Sequence, residues 1–240
     1  GTFREALQLN ISNLNTIDKS LVNISDFCPV TSLNIDEMLN EIKDLIDTVT
    51  NEHLKLLLDS FFSNDKFISK FTQNSAAKSV HHAYIGGLIE HSLYVTKICD
   101  NMCKLYSALN RDLLITVALL HDIGKIKEIS AFPDNDYTDD GQLLGHIYMG
   151  AEMIEMKARN IDGFPRELLN EIKHCILAHH GKKEYGSPVL PSIIEAAALN
   201  IADETDAKMR RWTDLLHESN SLWTDNNDFF LGTRIRKTIV

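Results

Sequence analysis

The sequence predicts an all-α fold, a helical bundle preceded by a short N-terminal β-strand stub and linker. Three observations carry this. From residue 36 onward, apolar residues recur at spacings of three and four, the period of one helix face. Gly and Pro punctuate those runs where turns are needed. No strand–helix–strand alternation occurs, so no Rossmann-type parallel sheet is expected.

Residues 1–35 read differently from the rest. In "ALQLNISNL", Leu7, Leu9 and Ile11 alternate with polar neighbours, a strand period. "NISDFCPVTSLNIDEM" then reads as a linker containing Pro29 and closing on Asp36 as a helix cap. One strand is not stable alone, so it is expected either to pair with a partner chain or to end a domain lying mostly outside this sequence. Met38, Leu39, Ile42, Leu45, Ile46 and Val49 mark the first helix. Similar runs follow near 51–62, 86–108, 111–121, 143–159, 165–180 and 191–220. Between them stand Gly86-Gly87, Gly124, Pro133, Gly141, Gly163, Pro165, Gly181 and the segment 186–191. The expected division is therefore 1–35 and 36–240.

The 240 residues, 44% of them apolar, suffice for one sizeable core. No run approaches the ~18 apolar residues of a membrane span, and "GTFREALQLN" has no signal-peptide pattern. A net charge of −10 argues against a broad electrostatic grip on long nucleic acid, but not against a short strand or nucleotide held locally. Cys28, Cys99, Cys103 and Cys175 form no CxxC pair, which points to a reduced, cytoplasmic protein.

Histidine is the unusual component: eight of the ten lie between positions 81 and 180. "GGLIEHSLYV" puts His91 on an inward helix face with Leu88, Ser92, Val95 and Cys99. "ALLHDIGK" supplies His121 and Asp122, "LLGHIYMGAEMI" His146, and "ILAHHGKKE" His179 and His180. "NIADETDAKM" adds Asp203 in an apolar helix. Imidazoles and carboxylates suit Mn, Fe, Co, Ni or Zn. Taken singly, each also fits an ordinary role. An inward His can be a hydrogen-bonded core residue, Asp203 can pair with a buried cation, and a His pair suits a helix C-terminus. Burying the set together without a cation would be costly.

His91, His121-Asp122 and Asp203 resemble the H…HD…D pattern of the HD superfamily of metal-dependent phosphohydrolases. His146 and His179 resemble the additional ligands of its two-metal branch. "HHAYIGGLIEHS", "RDLLITVALLHDIGKIKE", "YTDDGQLLGHI", "ILAHHGKKEYGSP" and "DETDAKM" are similar, more specifically, to the YhaM-type 3′–5′ exoribonucleases of Gram-positive bacteria. Those enzymes carry an N-terminal OB-fold, so the resemblance makes residues 1–35 the last OB strand and its linker, and 36–240 an HD-domain bundle.

The resemblance implies two divalent ions, Mn foremost, bridged by Asp122. His91, His121 and Asp203 would hold one ion and His146 and His179 the other, with His180 joining it or facing substrate. Lys125 would meet a substrate phosphate after Gly124 turns the chain, or be an ordinary surface lysine. His81 and His82 would stand on the substrate side, or flank a helix at the surface. Asp206 and Lys208 would support the centre and phosphate, or form a solvated helix face. Ser187 would shape the pocket entrance. The implied reaction is hydrolysis at short single-stranded RNA or DNA 3′ ends, releasing nucleoside 5′-monophosphates. No membrane is involved, and a homo-oligomer is compatible.

Three rivals remain open. One is an HD phosphohydrolase of nucleotides or dinucleotides; its GYP-type form is disfavoured because "HHGKKEYGSP" departs from HHExxDGxGYP. The others are an HD-fold di-iron oxygenase and a non-catalytic metal-binding module.

Overall fold

A computed structural model describes residues 2–3, 6–7, 11–18, 21–79 and 82–239. It is helical throughout, apart from a small N-terminal hairpin and three isolated β-bridges among the described residues. Strand β1 (Thr2–Phe3) pairs antiparallel with β2 (Ala6–Leu7), Thr2 opposite Leu7. The expected strand thus has a partner within its own hairpin. Of its alternating residues, Leu9 lies outside the described set and Ile11 is exposed beyond β2.

The linker is tied down where it reaches the bundle. Val30 bridges Ile85 in parallel, with Ile85 N–H donating to Pro29 O and Thr31 N–H to Ile85 O, both at 2.9 Å. Nine helices follow among the described residues: α1 (Ile35–Asp47), α2 (Glu52–Phe62), α3 (Asp65–Gln73), α4 (Gly87–Leu105), α5 (Arg111–Leu120), α6 (Lys125–Glu128), α7 (Asp139–Ala158), α8 (Arg166–Ala178) and α9 (Ile194–Glu218). Among the described residues no helix is long and apolar enough to cross a membrane.

Asparagine starts four of them. The Oδ1 atoms of Asn34, Asn51, Asn64 and Asn110 accept backbone N–H bonds from Asp36, Leu54, Phe67 and Leu113 at 2.9–3.1 Å. Each satisfies a donor that the first helical turn leaves free. The cap of α1 is therefore Asn34 rather than Asp36, which lies in the first turn and complements the helix dipole.

Helix α5 is the centre of the fold. Every residue from Leu113 to Leu120 is buried, as expected for a helix packed on all sides. It packs mainly against α4, with α8 and α9 also in contact. Its N-terminus is anchored by Asp112, whose Oδ2 accepts from Thr50 N–H (2.9 Å), Thr50 Oγ1 (2.7 Å) and Asn51 N–H (2.8 Å). Burial pushes the Asp112 carboxyl up, but these donors outweigh it and hold the carboxyl below its ordinary value. A depressed carboxyl contributes stability that is complete above its unfolded pKa of about 3.9 and is lost as pH falls through the folded value. Asp112→Asn should therefore cost about 1 kcal/mol at pH 7, a modest figure because water still reaches the group. The gap between parent and variant melting temperatures should narrow below pH ~4. Thermal melts at pH 7 and in acid check this, and a gap unchanged by acid would refute it.

Two features differ from the sequence expectation. Helix α3 was not expected; its nine residues bury only Phe67, Phe71 and Thr72, too few to impose a visible period. Helix α7 begins at Asp139 and breaks at Gly145, whose φ of 73° and ψ of 154° are non-helical. Past α9 the chain folds back as a strap, with Thr224 N–H donating to Ile235 O (2.9 Å) and Lys237 N–H to Leu222 O (2.8 Å).

Candidate metal centre

The buried ends of α5 and α8 set the centre. A helix terminus leaves its last carbonyls unpaired, and here two histidines use them. His121 Nδ1 donates to Ala118 O (2.8 Å) and His179 Nδ1 to Ile176 O (2.7 Å). A carbonyl only accepts, so each Nδ1 carries the proton and each Nε2 keeps a lone pair. Carboxylates hold two more rings through Nδ1. His91 on α4 is 2.7 Å from Asp206 Oδ2 through Nδ1, and His146 on α7 is 2.9 Å from Glu128 Oε1 through Nδ1. Such partners orient metal-binding imidazoles and raise their basicity.

These rings converge on Asp122, one on each side of its carboxylate. Oδ2 stands 3.4 Å from His91 Nε2 and 3.4 Å from His121 Nε2. Oδ1 stands 3.5 Å from His146 Nε2 and 3.7 Å from His179 Nε2. Asp203 Oδ1, from α9, completes the first group at 3.2 Å from His91 Nε2. His180 completes the second beside His146 and His179.

The arrangement fits a divalent cation. Asp122 Oδ1, His146 Nε2 and His179 Nε2 are buried without a hydrogen-bond partner, a cost of about 1–3 kcal/mol each unless something else satisfies them. Two ligand atoms each ~2.1 Å from one tetrahedral or octahedral ion stand about 3.0–3.4 Å apart. The observed spacings lie at or slightly above that.

Charge points the same way. Burial would raise the Asp122 carboxyl, but Lys125 and His121 hold it well below its ordinary value. Burial disfavours a charge on His91, yet Asp122, Asp203 and Asp206 outweigh it and raise its pKa well above normal. The potential there favours positive charge. Burial pushes His179 well below its ordinary value, aided by His180 and His121, so its ring is neutral and ready to ligate.

The profile of the HD domain family matches residues 88–208, a span that holds His91, His121-Asp122, His146, His179 and Asp203. The chain belongs to the HD domain family. Membership implies divalent-metal binding, in keeping with the donor set. The chain is also similar to curated proteins named 3′–5′ exoribonuclease YhaM. Identity is 35% over 208 residues with that of Shouchella clausii, covering 86% of this chain and 64% of the relative. It is 34% over 208 residues with that of Bacillus subtilis, at 86% and 65%, and 36% over 188 residues with that of Oceanobacillus iheyensis, at 78% and 58%. The chain thus spans less than two thirds of the length of these relatives. No solved structure matches it significantly.

Within this HD domain the remaining candidates fall in different places. Lys125 is buried against the centre, its Nζ 2.6 Å from Asp122 Oδ2. Burial would lower its pKa, but Asp122 outweighs that and raises it, so the ammonium stays charged. His82 is not on the open side: its Nε2 meets Asp206 Oδ2 (2.9 Å) and its Nδ1 meets Tyr84 Oη (2.8 Å), both behind His91. Asp206 joins the same buried layer instead of facing substrate. Lys208 pairs with Glu204 at 2.5 Å. Ser187 is buried and has its N–H bonded to Lys182 O, so it does not form the open entrance. His81 lies outside the described residues.

Other residues carry weight that the sequence did not signal. Glu128 accepts both the N–H and the Nδ1–H of His146 at 2.9 Å, just past the α7 break. Asn200 Nδ2 donates to His179 O (2.8 Å) and closes on Gly181, where an added Cβ would lie 2.4 Å from Asn200 Oδ1. Gly124 has a helical φ of −62°, so it does not turn the chain by left-handed geometry. It serves for space: a Cβ there would lie 2.0 Å from His146 O. The centre opens into a cavity of about 530 Å³, with Lys125, His146, His180 and Asp203 along its floor.

Proposed function

We propose that this chain is a two-ion phosphodiesterase of RNA 3′ ends, releasing nucleoside 5′-monophosphates. The observation that carries it is the division of Asp122, one oxygen toward His91, His121 and Asp203, the other toward His146 and His179. One carboxylate so placed suits a bridge between two ions, with His180 beside the second ligand group and facing substrate. Manganese is the first metal to test. The exoribonuclease activity for which the relatives are named supports the substrate class.

When bound, paired divalent ions lower the pKa of a water and offset charge on the reacting phosphoryl group. The chain's own groups do the rest. Lys125, charged and lining the cavity, would meet a non-bridging phosphate oxygen. His180 donates Nδ1–H to Tyr185 O (2.7 Å), which leaves Nε2 to hold or pass a proton at the cavity floor. Burial, with His146 beside it, keeps the His180 pKa below normal, so the ring is neutral and keeps the Nε2 lone pair. His82 and Asp206 act as positioning residues that hold His91.

A chain of net charge −10 with a cavity of this size suits short single-stranded ends of RNA, or of DNA, more than long duplexes. Residues 1–35 are read as the end of a preceding OB-fold module and linker, and the setting as cytoplasmic. The test is a product screen with Mn²⁺ on short RNA and DNA, nucleotides and dinucleotides. Stepwise loss of 5′-monophosphates from a free 3′ end is expected. Turnover of nucleotides alone would replace this reading with the nucleotide hydrolase, and oxygen uptake with Fe(II) would replace it with an oxygenase.

A further inference from the structure

The cavity has a rim that the chemistry above does not use. Tyr137, Tyr185 and Phe230 line it, from three distant parts of the chain. They remain 45%, 61% and 43% exposed. Isolated exposed apolar residues are common, but these three are held in place. Tyr137 lies in an antiparallel bridge with Ile129. Tyr185 ends a 3-10 turn (Lys183–Tyr185), and its carbonyl is the acceptor for His180 Nδ1–H, so the turn is fastened to the centre.

Phe230 is placed by the C-terminal strap. Asp228 is almost fully buried beneath it. Its Oδ1 accepts from Phe230 N–H (3.0 Å), Leu231 N–H (3.1 Å) and Trp212 Nε1–H (3.0 Å), and its Oδ2 from Arg211 Nε–H (2.6 Å). A buried carboxylate with four donors fixes the strap on α9 in one register. That register puts Phe230 at the cavity, while Phe229 lies under the Arg211 guanidinium, 4.5 Å from its ring centroid.

Each rim ring also has an ammonium close by. Lys78 is 5.7 Å from the Tyr137 ring, Lys182 is 5.3 Å from Tyr185, and Lys208 is 5.4 Å from Phe230. Rings that accept a flat partner, paired with cations that accept a phosphate, are how sequence-tolerant single-strand sites are built. Ala76, Ala77 and Ala207 keep the intervening wall low. Because the chain as a whole is acidic, capture cannot come from a broad basic face and has to be local.

We propose that Tyr137, Tyr185 and Phe230 form a base-stacking rim that grips the last nucleotides of a single-stranded RNA, with Lys78 and Lys182 at its phosphates. This rests on the phosphodiesterase reading and assigns its substrate grip.

The test compares a short labelled RNA with intact bases against one whose last two nucleotides are abasic. Binding is read by anisotropy in EDTA, where hydrolysis does not run. Stacking contributes about 1–3 kcal/mol per base, about 5- to 150-fold in affinity. The full chain should bind the abasic end at least about ten-fold more weakly. Phe230→Ala and Tyr185→Ala should each weaken the intact RNA by about that factor and leave the abasic RNA unchanged. Phe230→Tyr should restore binding, and Phe230→Leu, which keeps apolar bulk without a ring, should not. Equal binding of both RNAs by the parent chain, or equal weakening of both by the variants, would overturn the rim. Hydrolysis with Mn²⁺ is scored separately. Base-dependent binding without cleavage would sink the catalytic reading alone, and cleavage without base-dependent binding would sink the rim alone.

Discussion

Asp122→Asn should release bound metal and reduce phosphodiester hydrolysis to below about a thousandth of the parent rate, a larger loss than the 10–100-fold typical of residues behind the ligands. The amide keeps the size of the carboxylate but halves its acceptor character, so one side of the centre would face an N–H₂ in place of an oxygen. It also removes the charge that Oδ1 and Oδ2 present to His146, His179, His91 and His121. Lys125 would then be left buried with its main partner neutral, and breaking such a pair costs about 3–5 kcal/mol. A second variant separates that cost from metal loss. Asp122→Asn with Lys125→Met removes the stranded ammonium and should regain much of the melting temperature in EDTA while binding no more metal. Metal analysis reads the result directly. Full ion content in Asp122→Asn would refute the bridging role.

The next largest effect is expected at a residue that touches no ion. Gly124→Ala places a methyl 2.0 Å from His146 O and 2.8 Å from Gly150 N, both backbone atoms of α7. Neither can rotate away, so the turn after Asp122 and the start of α7 must separate. Overpacking of this kind costs about 3 kcal/mol or more, a fall of roughly 6–12 °C in melting temperature for a chain of this size. The displaced residue is His146, so ion content should fall as well. Gly150→Ala is the matched control: its nearest neighbour would be 3.5 Å away, an ordinary contact. Alanine is also the better helix former there, so stability should hold or rise slightly. If Gly124→Ala melts within about 2 °C of the parent, the close approach does not limit the fold.

Much of the bundle was legible because its helices bury one face, and burial writes a period of three and four into the sequence. Met38, Ile42 and Ile46 announce α1 in this way. Helix α3 was hidden because few of its side chains reach the core. The α7 break was hidden because Gly145 sits inside an otherwise helical pattern, and only its backbone angles reveal it. The candidate ligand residues were legible as types and positions, but their meeting was not. His91 and Asp203 are joined by the packing of α4 on α9, which no local spacing encodes. The supporting layer was the least legible. Glu128 looks like a surface charge beside Lys127, and becomes the acceptor for His146 only when the chain loops back from α6 to α7. His82 and Asp206 are 124 positions apart, yet share one hydrogen bond beneath the centre. The strap escaped notice because its order rests on one buried carboxylate, Asp228, rather than on a repeating pattern.

The way the histidines and aspartates are distributed has a thermodynamic consequence. They come from α4, α9, the ends of α5 and α8, and the break in α7. Two divalent ions bound there would together clasp five helices, and the unfolded chain offers them no comparable set. Such a ligand stabilises the native state by mass action, by about 2.7 kcal/mol per site when its free concentration is a hundred times its dissociation constant. The supply of metal in the surroundings should therefore set part of the stability of the folded chain.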